Sequence, residues 1–449
     1  MEKDSSSVLS SALSGGADTI VARSSPAGRG GLALIRVSGG ETRGLARAIC
    51  PNLDMDRGWR ASLVELRNDD GELIDRAVAL PYPAPRSYTG EDMLEIMVHG
   101  SSWVIQATID AFVAAGARPA GPGEFTRRAV ANGKLDLVQA EAINELTSAE
   151  TAWQARLARA QVDGRLSREF ALLKRDLTDL LARLEASLDF AHHEIPYDRD
   201  AVQKGRDRCL ARARALVATA PAGQRIRDGV RVVILGPPNS GKSTLFNLLV
   251  GSERAIVSPH PGTTRDVVEA ELEVAGIRVI LKDTAGLGAT SDPVEREGIR
   301  RAQDAAADAD AVLVLWPADQ ENEPAPSVAE QRPILKLRSK WDLAGTKALA
   351  VGWMAVSCET GEGIEELRLA LAGVVAADVA DLGGEVAIAE RHHRSLDVAV
   401  SELKGLDLEL PELAAEGVRA ALEAARELTG EVVTEDVLDQ IFGTFCIGK

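Results

Sequence analysis

The strongest chemical signal in the chain is the run Gly236-x-x-x-x-Gly241-Lys242-Ser243 inside "VRVVILGPPNSGKSTLFNLL". An apolar β-type segment precedes it and an apolar-periodic helix follows, the context that a phosphate-binding P-loop requires. Glycines at both ends let backbone N–H groups curl around a β-phosphate. Lys242 neutralises charge on the β- and γ-phosphates, and the Ser243 hydroxyl reaches Mg²⁺. Asn239, Ser240 and Thr244 complete the phosphate-facing loop. Asn239 is also a candidate ligand for a monovalent cation.

The segments that follow select the nucleotide. "PGTTRD" (Pro261, Gly262, Thr263, Thr264) offers Thr264 as a switch-loop Mg²⁺ ligand. "LKDTAG" ends a β-type run with Asp283 suited to the second shell of the metal, then Thr284, Ala285 and Gly286, whose backbone can follow a γ-phosphate. Together they form the pattern of a GTPase switch. In "RSKWD" (Ser339, Lys340, Asp342), Asp342 can accept both guanine N–H donors, an arrangement adenine does not satisfy, and "VSCETGEG" brings Ser357 and Cys358 beside the guanine O6. Ser339 stands where an asparagine is usual, so the expectation is a missing tie between base loop and P-loop and a lowered affinity. Leu287 follows the switch glycine where many small GTPases carry a water-positioning glutamine. Glu295, in "SDPVEREGIRRA", is the nearest acid that can orient water, with a solvated helix-face charge as the alternative.

Behind these residues stands a chain of 449 residues, 45% hydrophobic and 27% charged, long enough for two to four domains each with its own core. Residues 1–17 read as a disordered tail. Residues 18–133 alternate β-rich runs ("GGLALIRVSG", "IDRAVALPYP", "DMLEIMVHG") with helix-like stretches, an α/β or α+β domain. Residues 134–222 turn to helical spacing, with Leu173, Leu177, Leu180, Leu184 and Leu188 on one stripe. Residues 223–377 alternate strands and helices around the P-loop, and residues 378–449 return to helix. The fold class is therefore multidomain α/β plus all-α, with a P-loop module inserted into a discontinuous helical domain.

A net charge of −17 argues against broad electrostatic capture of nucleic acid, and leaves phosphate contacts to a local basic patch or a basic partner. No run approaches the ~20 apolar residues of a membrane span. Cys50, Cys209, Cys358 and Cys446 share no metal-ligand spacing and fit reduced thiols in a cytosol. His192 and His193 are adjacent and diverge by ~100° on a helix, which argues against a metal pair. The chain ends "FCIGK". Cys446 is compatible with a small hydrophobe packed at a helical edge, while Gly448 and Lys449 fit a lipidation signal poorly.

Five blocks, "DTIVARSSPAGRGGLALIRVSG", "PRSYTGEDMLEIMVHG", "GPGEFTRRAVANGKLDLVQAEAINELTSA", the P-loop module and "LTGEVVTEDVLDQIFGTFCIGK", together resemble the MnmE/TrmE family of tRNA modification GTPases over nearly all of the chain after residue 17. The resemblance implies a homodimer with an N-terminal tetrahydrofolate-binding domain and an inserted, Ras-like, potassium-stimulated G domain. It implies a heterotetramer with the FAD-containing MnmG protein, modifying C5 of the wobble uridine of certain tRNAs to an aminomethyl or carboxymethylaminomethyl form in the cytoplasm. By similarity, Arg36, Glu95, Lys134 and Lys449 hold a 5-formyl- or methylene-tetrahydrofolate. Asn239, Ser258, His260 and Thr263 hold K⁺, Ser243 and Thr264 hold Mg²⁺, and Glu295 matches the catalytic acid. Cys446, brought to the folate pocket, is a candidate nucleophile for C6 of uridine, the rival being a packing anchor for the tail. Two segments depart from the family: "DFAHHEIP" replaces an acidic turn, and "SPHPGTTRD" carries Pro259 and Pro261 in the loop expected to wrap the cation. A GTP-dependent switch that binds RNA or ribosomes without modifying them is the other functional class compatible with the P-loop module.

Overall fold

The computed structural model describes residues 18–189, 197–252, 254–255, 268–283, 307–320, 332–345, 348–377, 379 and 386–449. These fall into two compact units, one of residues 1–144, 161–213 and 394–449, the other of residues 145–160 and 214–393.

In the first unit, β1 (Ile20–Arg23) and β2 (Leu32–Ser38) precede α1 (Thr42–Ile49). β3 (Ser62–Arg67), β4 (Leu73–Tyr82) and β5 (Met93–His99) follow, then α2 (Ser102–Ala114), β6 (Arg118–Pro119), α3 (Glu124–Ala131) and α4 (Leu137–Ser148). The strands form one sheet in the order β3-β4-β5-β2-β1-β6, antiparallel except for the β1–β6 pair. The alternation read in the sequence is realised as two unlike faces. Ala33, Ile35, Val37, Ala77, Ala79, Leu94, Ile96 and Val98 are buried in one core with Leu45, Ile49 and Phe112 of α1 and α2. The other face carries Leu34, Arg36, Val78, Leu80, Tyr82, Glu95 and Met97, all half-buried, because side chains two apart along a strand share a side. Arg36 stands directly opposite Glu95 across β2 and β5.

Next along the chain come α5 (Ala152–Val162), α6 (Arg165–Asp189) and α7 (Arg199–Val217). The leucine stripe of α6 is a core seam: Leu166, Leu173, Leu177 and Leu184 are fully buried. Its partner, described below as α12, offers small residues that let two helices approach.

The second unit holds α8 (Ala220–Asp228), β7 (Val230–Leu235), α9 (Lys242–Ser252), β8 (Arg254–Ala255), β9 (Val268–Val274), β10 (Ile277–Asp283), β11 (Ala311–Pro317), β12 (Ile334–Ser339), β13 (Trp353–Ala355) and α10 (Ile364–Ala376). The sheet order is β13-β12-β11-β7-β10-β9-β8, parallel from β13 to β10, with β9 and β8 antiparallel. Val232, Ile234, Val279, Leu281, Leu313, Leu315 and Leu337 fill its core with Leu245, Leu249, Leu367 and Leu371 of the helices. Leu157 of α5 is buried in the same core. In such sheets ligands bind outside the carboxyl ends of the parallel strands, and the P-loop leaves β7 at that end.

The chain closes with α11 (Glu390–Gly405), α12 (Pro411–Thr429) and α13 (Glu435–Gly443). α12 buries Ala414, Ala415, Val418, Ala421, Ala424, Ala425 and Leu428. Among the described residues no helix is long and apolar enough to cross a membrane. The segments containing His192 and His193 lie outside the described residues.

Candidate nucleotide site and C-terminal thiol site

The nucleotide site is built on the β7–α9 turn. A Cβ at Gly236 would stand 2.2 Å from the Leu315 carbonyl oxygen, so the P-loop leaves the sheet at a point open only to glycine. Asn239 has φ 61 and an exposed side chain, as have Ser243 and Thr244. Among the described residues none of the three side chains is engaged elsewhere, a donor set that fits Mg²⁺, a monovalent cation and phosphate oxygens. Lys242 is buried, its ammonium donating to the carbonyls of Gly236 and Pro237 at 2.9 and 2.8 Å. Burial lowers its pKa and Asp283 opposes that shift. Asp283 ends β10 level with Ile234 of β7, so the acid expected near the metal and the P-loop lysine meet at one end of the sheet.

The base-reading residues converge on the same end. Lys340 has φ 53 and opens a single turn of 3₁₀ helix, Trp341–Leu343, which presents an exposed Asp342. The Ser357 hydroxyl donates to Oδ1 of Asp342 at 2.6 Å and itself accepts from the Thr360 N–H. One carboxylate oxygen is thereby fixed and the group's plane with it. Cys358 is half-buried, its thiol pushed up by burial and by the nearby Asp342 charge.

Ser339 corrects the sequence reading. Its hydroxyl donates to the backbone carbonyl of Ser240 at 2.7 Å, so the base loop is tied to the P-loop without an amide. Ser258, Pro259, His260, Pro261, Gly262, Thr263, Thr264, Thr284, Ala285, Gly286, Leu287 and Glu295 lie outside the described residues.

In the first unit the C-terminal tail is threaded onto the half-buried face of the sheet. Arg36 donates to Oε1 of Glu95 from Nη2 at 2.7 Å and from Nε at 3.0 Å, and from Nη1 to the Gly448 carbonyl at 3.1 Å. Its guanidinium carbon lies 5.4 Å from the Tyr88 ring centre and 5.5 Å from that of Phe125. The same Gly448 carbonyl accepts from the Ser24 hydroxyl at 2.8 Å. Gly123 and Phe125 donate backbone N–H groups to the carbonyls of Cys446 and Lys449, and Pro122 pairs with Ile447. Lys449 is half-buried, and among the described residues its ammonium makes no ion pair. Burial lowers its pKa and the Arg36 charge adds to that, while Cys446 acts the other way.

Four sequence-selected residues, Arg36, Glu95, Cys446 and Lys449, are thus brought to one place, and Lys134 sits beside it. The Lys134 ammonium donates to the Pro85 carbonyl at 3.1 Å, in the loop that carries Tyr88. Two expectations change. Cys446 is exposed, and the residue that anchors the tail by packing is Phe445, buried with Leu137, Leu438 and Phe442. Both oxygens of Glu95 are engaged, the second by the Tyr82 hydroxyl at 3.1 Å. The fit to a polyanionic ligand with a hydrogen-bonding ring rests on the remaining Arg36 N–H groups and on the Lys449 ammonium. Ser24, Tyr82, Tyr88 and Phe125 escaped sequence reasoning. Only Tyr82 left a signal, two residues along β4 from Leu80, which pairs with Glu95.

A family model described as the MnmE helical domain matches residues 137–446. One described as the GTP-binding protein TrmE N-terminus matches residues 19–134. The tRNA modification GTPase MnmE of Granulibacter bethesdensis is 41% identical over 442 residues, covering 96% of this chain and 99% of the relative. That of Phenylobacterium zucineum is 42% identical over 449 residues, with 96% and 100% covered. That of Thermus thermophilus is 41% identical over 438 residues, with 96% and 99% covered.

Proposed function

The chain belongs to the MnmE family of tRNA modification GTPases, and from that premise we propose how its two sites divide the work. It is a GTPase acting in tRNA modification. GTP is bound by the P-loop from Asn239 to Thr244 and read by Asp342, Ser357 and Cys358. Ser243 and Thr264 would hold Mg²⁺, and Asn239 with Ser258, His260 and Thr263 would hold K⁺, which would supply the positive charge that an arginine finger supplies in other GTPases. Glu295 orients the attacking water.

The second site takes a reduced folate through Arg36, Glu95, Lys134 and Lys449, and the folate supplies the one-carbon unit. The chain acts as a homodimer with the FAD-containing MnmG protein, in the cytoplasm, on C5 of the wobble uridine. Cys446 adds as thiolate to C6 of the uracil, moving the ring electron pair to C5. After C5 has taken up the carbon, loss of the C5 proton expels the thiolate and restores the double bond. The observation that carries the reading is an exposed Cys446 near Lys449, in a tail whose Gly448 carbonyl is held by Ser24 and by an aromatic-flanked Arg36.

The test is to assay GTP hydrolysis, 5-formyl-tetrahydrofolate binding and wobble-uridine modification separately in Cys446→Ser. Loss of modification with the other two intact supports the thiol's role. Full modification by that variant removes it, and a protein that hydrolyses GTP but neither binds folate nor modifies tRNA is the non-modifying switch instead.

A further inference from the structure

Between α1 and β3 the chain sets a tryptophan in the open. Trp59 has 61% of its surface in solvent and a backbone φ of 64, a left-handed conformation that is a genuine outlier for a bulky side chain. Outliers of this kind persist where the surroundings over-determine them and cluster at functional sites. The surroundings here are tight. The Trp59 N–H donates to the Pro81 carbonyl at 2.9 Å, and a Cβ on Gly58 would lie 2.5 Å from the Pro83 Cδ. Held in this way, the indole meets the Tyr82 ring with centroids 4.7 Å apart and planes at 88°.

Tyr82 is the link to chemistry. Its hydroxyl donates to Glu95, burial and the Glu95 charge push its pKa up to about 12, and Glu95 in turn grips Arg36. Trp59 is therefore one aromatic ring removed from the carboxylate of the proposed folate site. Tyr82 shares the half-buried sheet face with Arg36, Glu95, Leu80 and Met97. A rigid exposed indole against a phenol that is itself bonded to a carboxylate suits a flat conjugated heterocycle, whose faces stack while its polar edge hydrogen-bonds.

We propose that Trp59, with Tyr82, is an aromatic wall of the Arg36–Glu95 site and stacks the pteridine ring of the ligand, an assignment that rests on the reading of that site as a reduced-folate site. The pteridine carries amide and amino groups for the carboxylate side and an anionic tail for Lys449, which joins the indole to the charged residues through one molecule. Trp59 then sets affinity and not chemistry, because an indole that stacks on a ring moves no proton and forms no bond to it.

The experiment titrates 5-formyl-tetrahydrofolate into the full chain and into Trp59→Phe and Trp59→Ala, following binding by calorimetry and tryptophan emission in parallel. The chain has six tryptophans, so the difference between wild type and Trp59→Phe isolates this one. Expected are quenching in the wild type that is lost in both variants, an affinity lowered roughly tenfold in Trp59→Ala and less than about threefold in Trp59→Phe, and GTP hydrolysis unchanged in all three. Wild-type affinity in Trp59→Ala, with or without a change in subunit association or in affinity for an RNA oligonucleotide, overturns the aromatic wall and leaves the folate reading standing. Failure of the wild type itself to bind overturns the folate reading, and the wall with it. Unchanged GTP hydrolysis and circular dichroism in Trp59→Phe guard against a folding artefact.

Discussion

The hydroxyl of Ser339 donates a 2.7 Å hydrogen bond to the backbone carbonyl of Ser240. Ser339 is 3% exposed and Ser240 is fully buried, so removal leaves a carbonyl without its partner at a cost of about 1–2 kcal/mol. Ser339→Ala is expected to weaken GTP roughly five- to thirtyfold in an equilibrium titration. Ser339→Asn is expected to bring no tightening, because the tie it would restore already exists and the longer side chain must find room in a closed site. A marked gain in affinity for the asparagine variant would show that the hydroxyl is a poor substitute.

The base specificity rests on Asp342 and on the 2.6 Å bond that orients it from Ser357. In Asp342→Asn the acceptor pair becomes one donor and one acceptor, which matches xanthine in place of guanine. Affinity for GTP should fall at least about a hundredfold while xanthosine triphosphate becomes the better ligand. Ser357→Ala keeps the preference but frees the carboxylate to rotate, for a loss of about three- to tenfold. Competition between the two nucleotides against a fluorescent analogue reads both outcomes.

Much of this geometry is legible in the sequence where a local rule fixes it. The P-loop announces itself through Gly236, Gly241 and the flanking strand and helix, because backbone curvature and phosphate charge restrict those positions to few residue types. The leucine stripe of α6 and the alternation in β2, β4 and β5 follow from period alone. The tie made by Ser339 is not legible in the sequence because it depends on a carbonyl 99 residues earlier, and a hydroxyl serves as well as an amide when the donor already stands close. Arg36 reads from sequence only as a cation; that it is flanked by Tyr88 and Phe125 and bound to Gly448 follows from a chain closure of 412 residues. Cys446 and Phe445 are neighbours of similar apolar character, and which of the two packs is decided by the register of the tail against Gly123 and Phe125.

Thiol chemistry separates the four cysteines. Burial pushes Cys50 and Cys209 up to about 12, so at pH 8 their thiolate fraction is about 10⁻⁴ and their alkylation negligible. Raising the pH to 9 multiplies that fraction tenfold and still leaves it small, because the folded pKa lies well above both values. Maleimide at pH 8 is expected to label the exposed Cys446 first and half-buried Cys358 slowly, with Cys50 and Cys209 labelled only after unfolding. GTP should slow Cys358 further and leave Cys446 unchanged, as peptide mapping by mass spectrometry would register. Protection of Cys446 and not of Cys358 by nucleotide would contradict the base-site position of Cys358.

Gly448 is the residue on which the tail's course depends most sharply. It has φ 93, and a Cβ there would lie 2.2 Å from the Arg23 carbonyl oxygen and 2.9 Å from the Ser24 Cα. Both obstacles are backbone, so neither can swing aside as a side chain would. Its carbonyl is also the acceptor for Ser24 and Arg36, and displacement of the residue breaks both bonds at once. Gly448→Ala should therefore release Ile447 to Lys449 from the sheet face while Phe445, buried upstream, keeps α13 in place. Expected are an unfolding midpoint and a GTP turnover close to those of the parent, weaker folate binding because Lys449 leaves the site, and wobble-uridine modification reduced at least about tenfold by a displacement on the scale of 1 Å. Deleting Gly448 and Lys449 together should reproduce the loss. If Gly448→Ala modifies tRNA at the parental rate, the tail does not act in the place where Arg36 holds it.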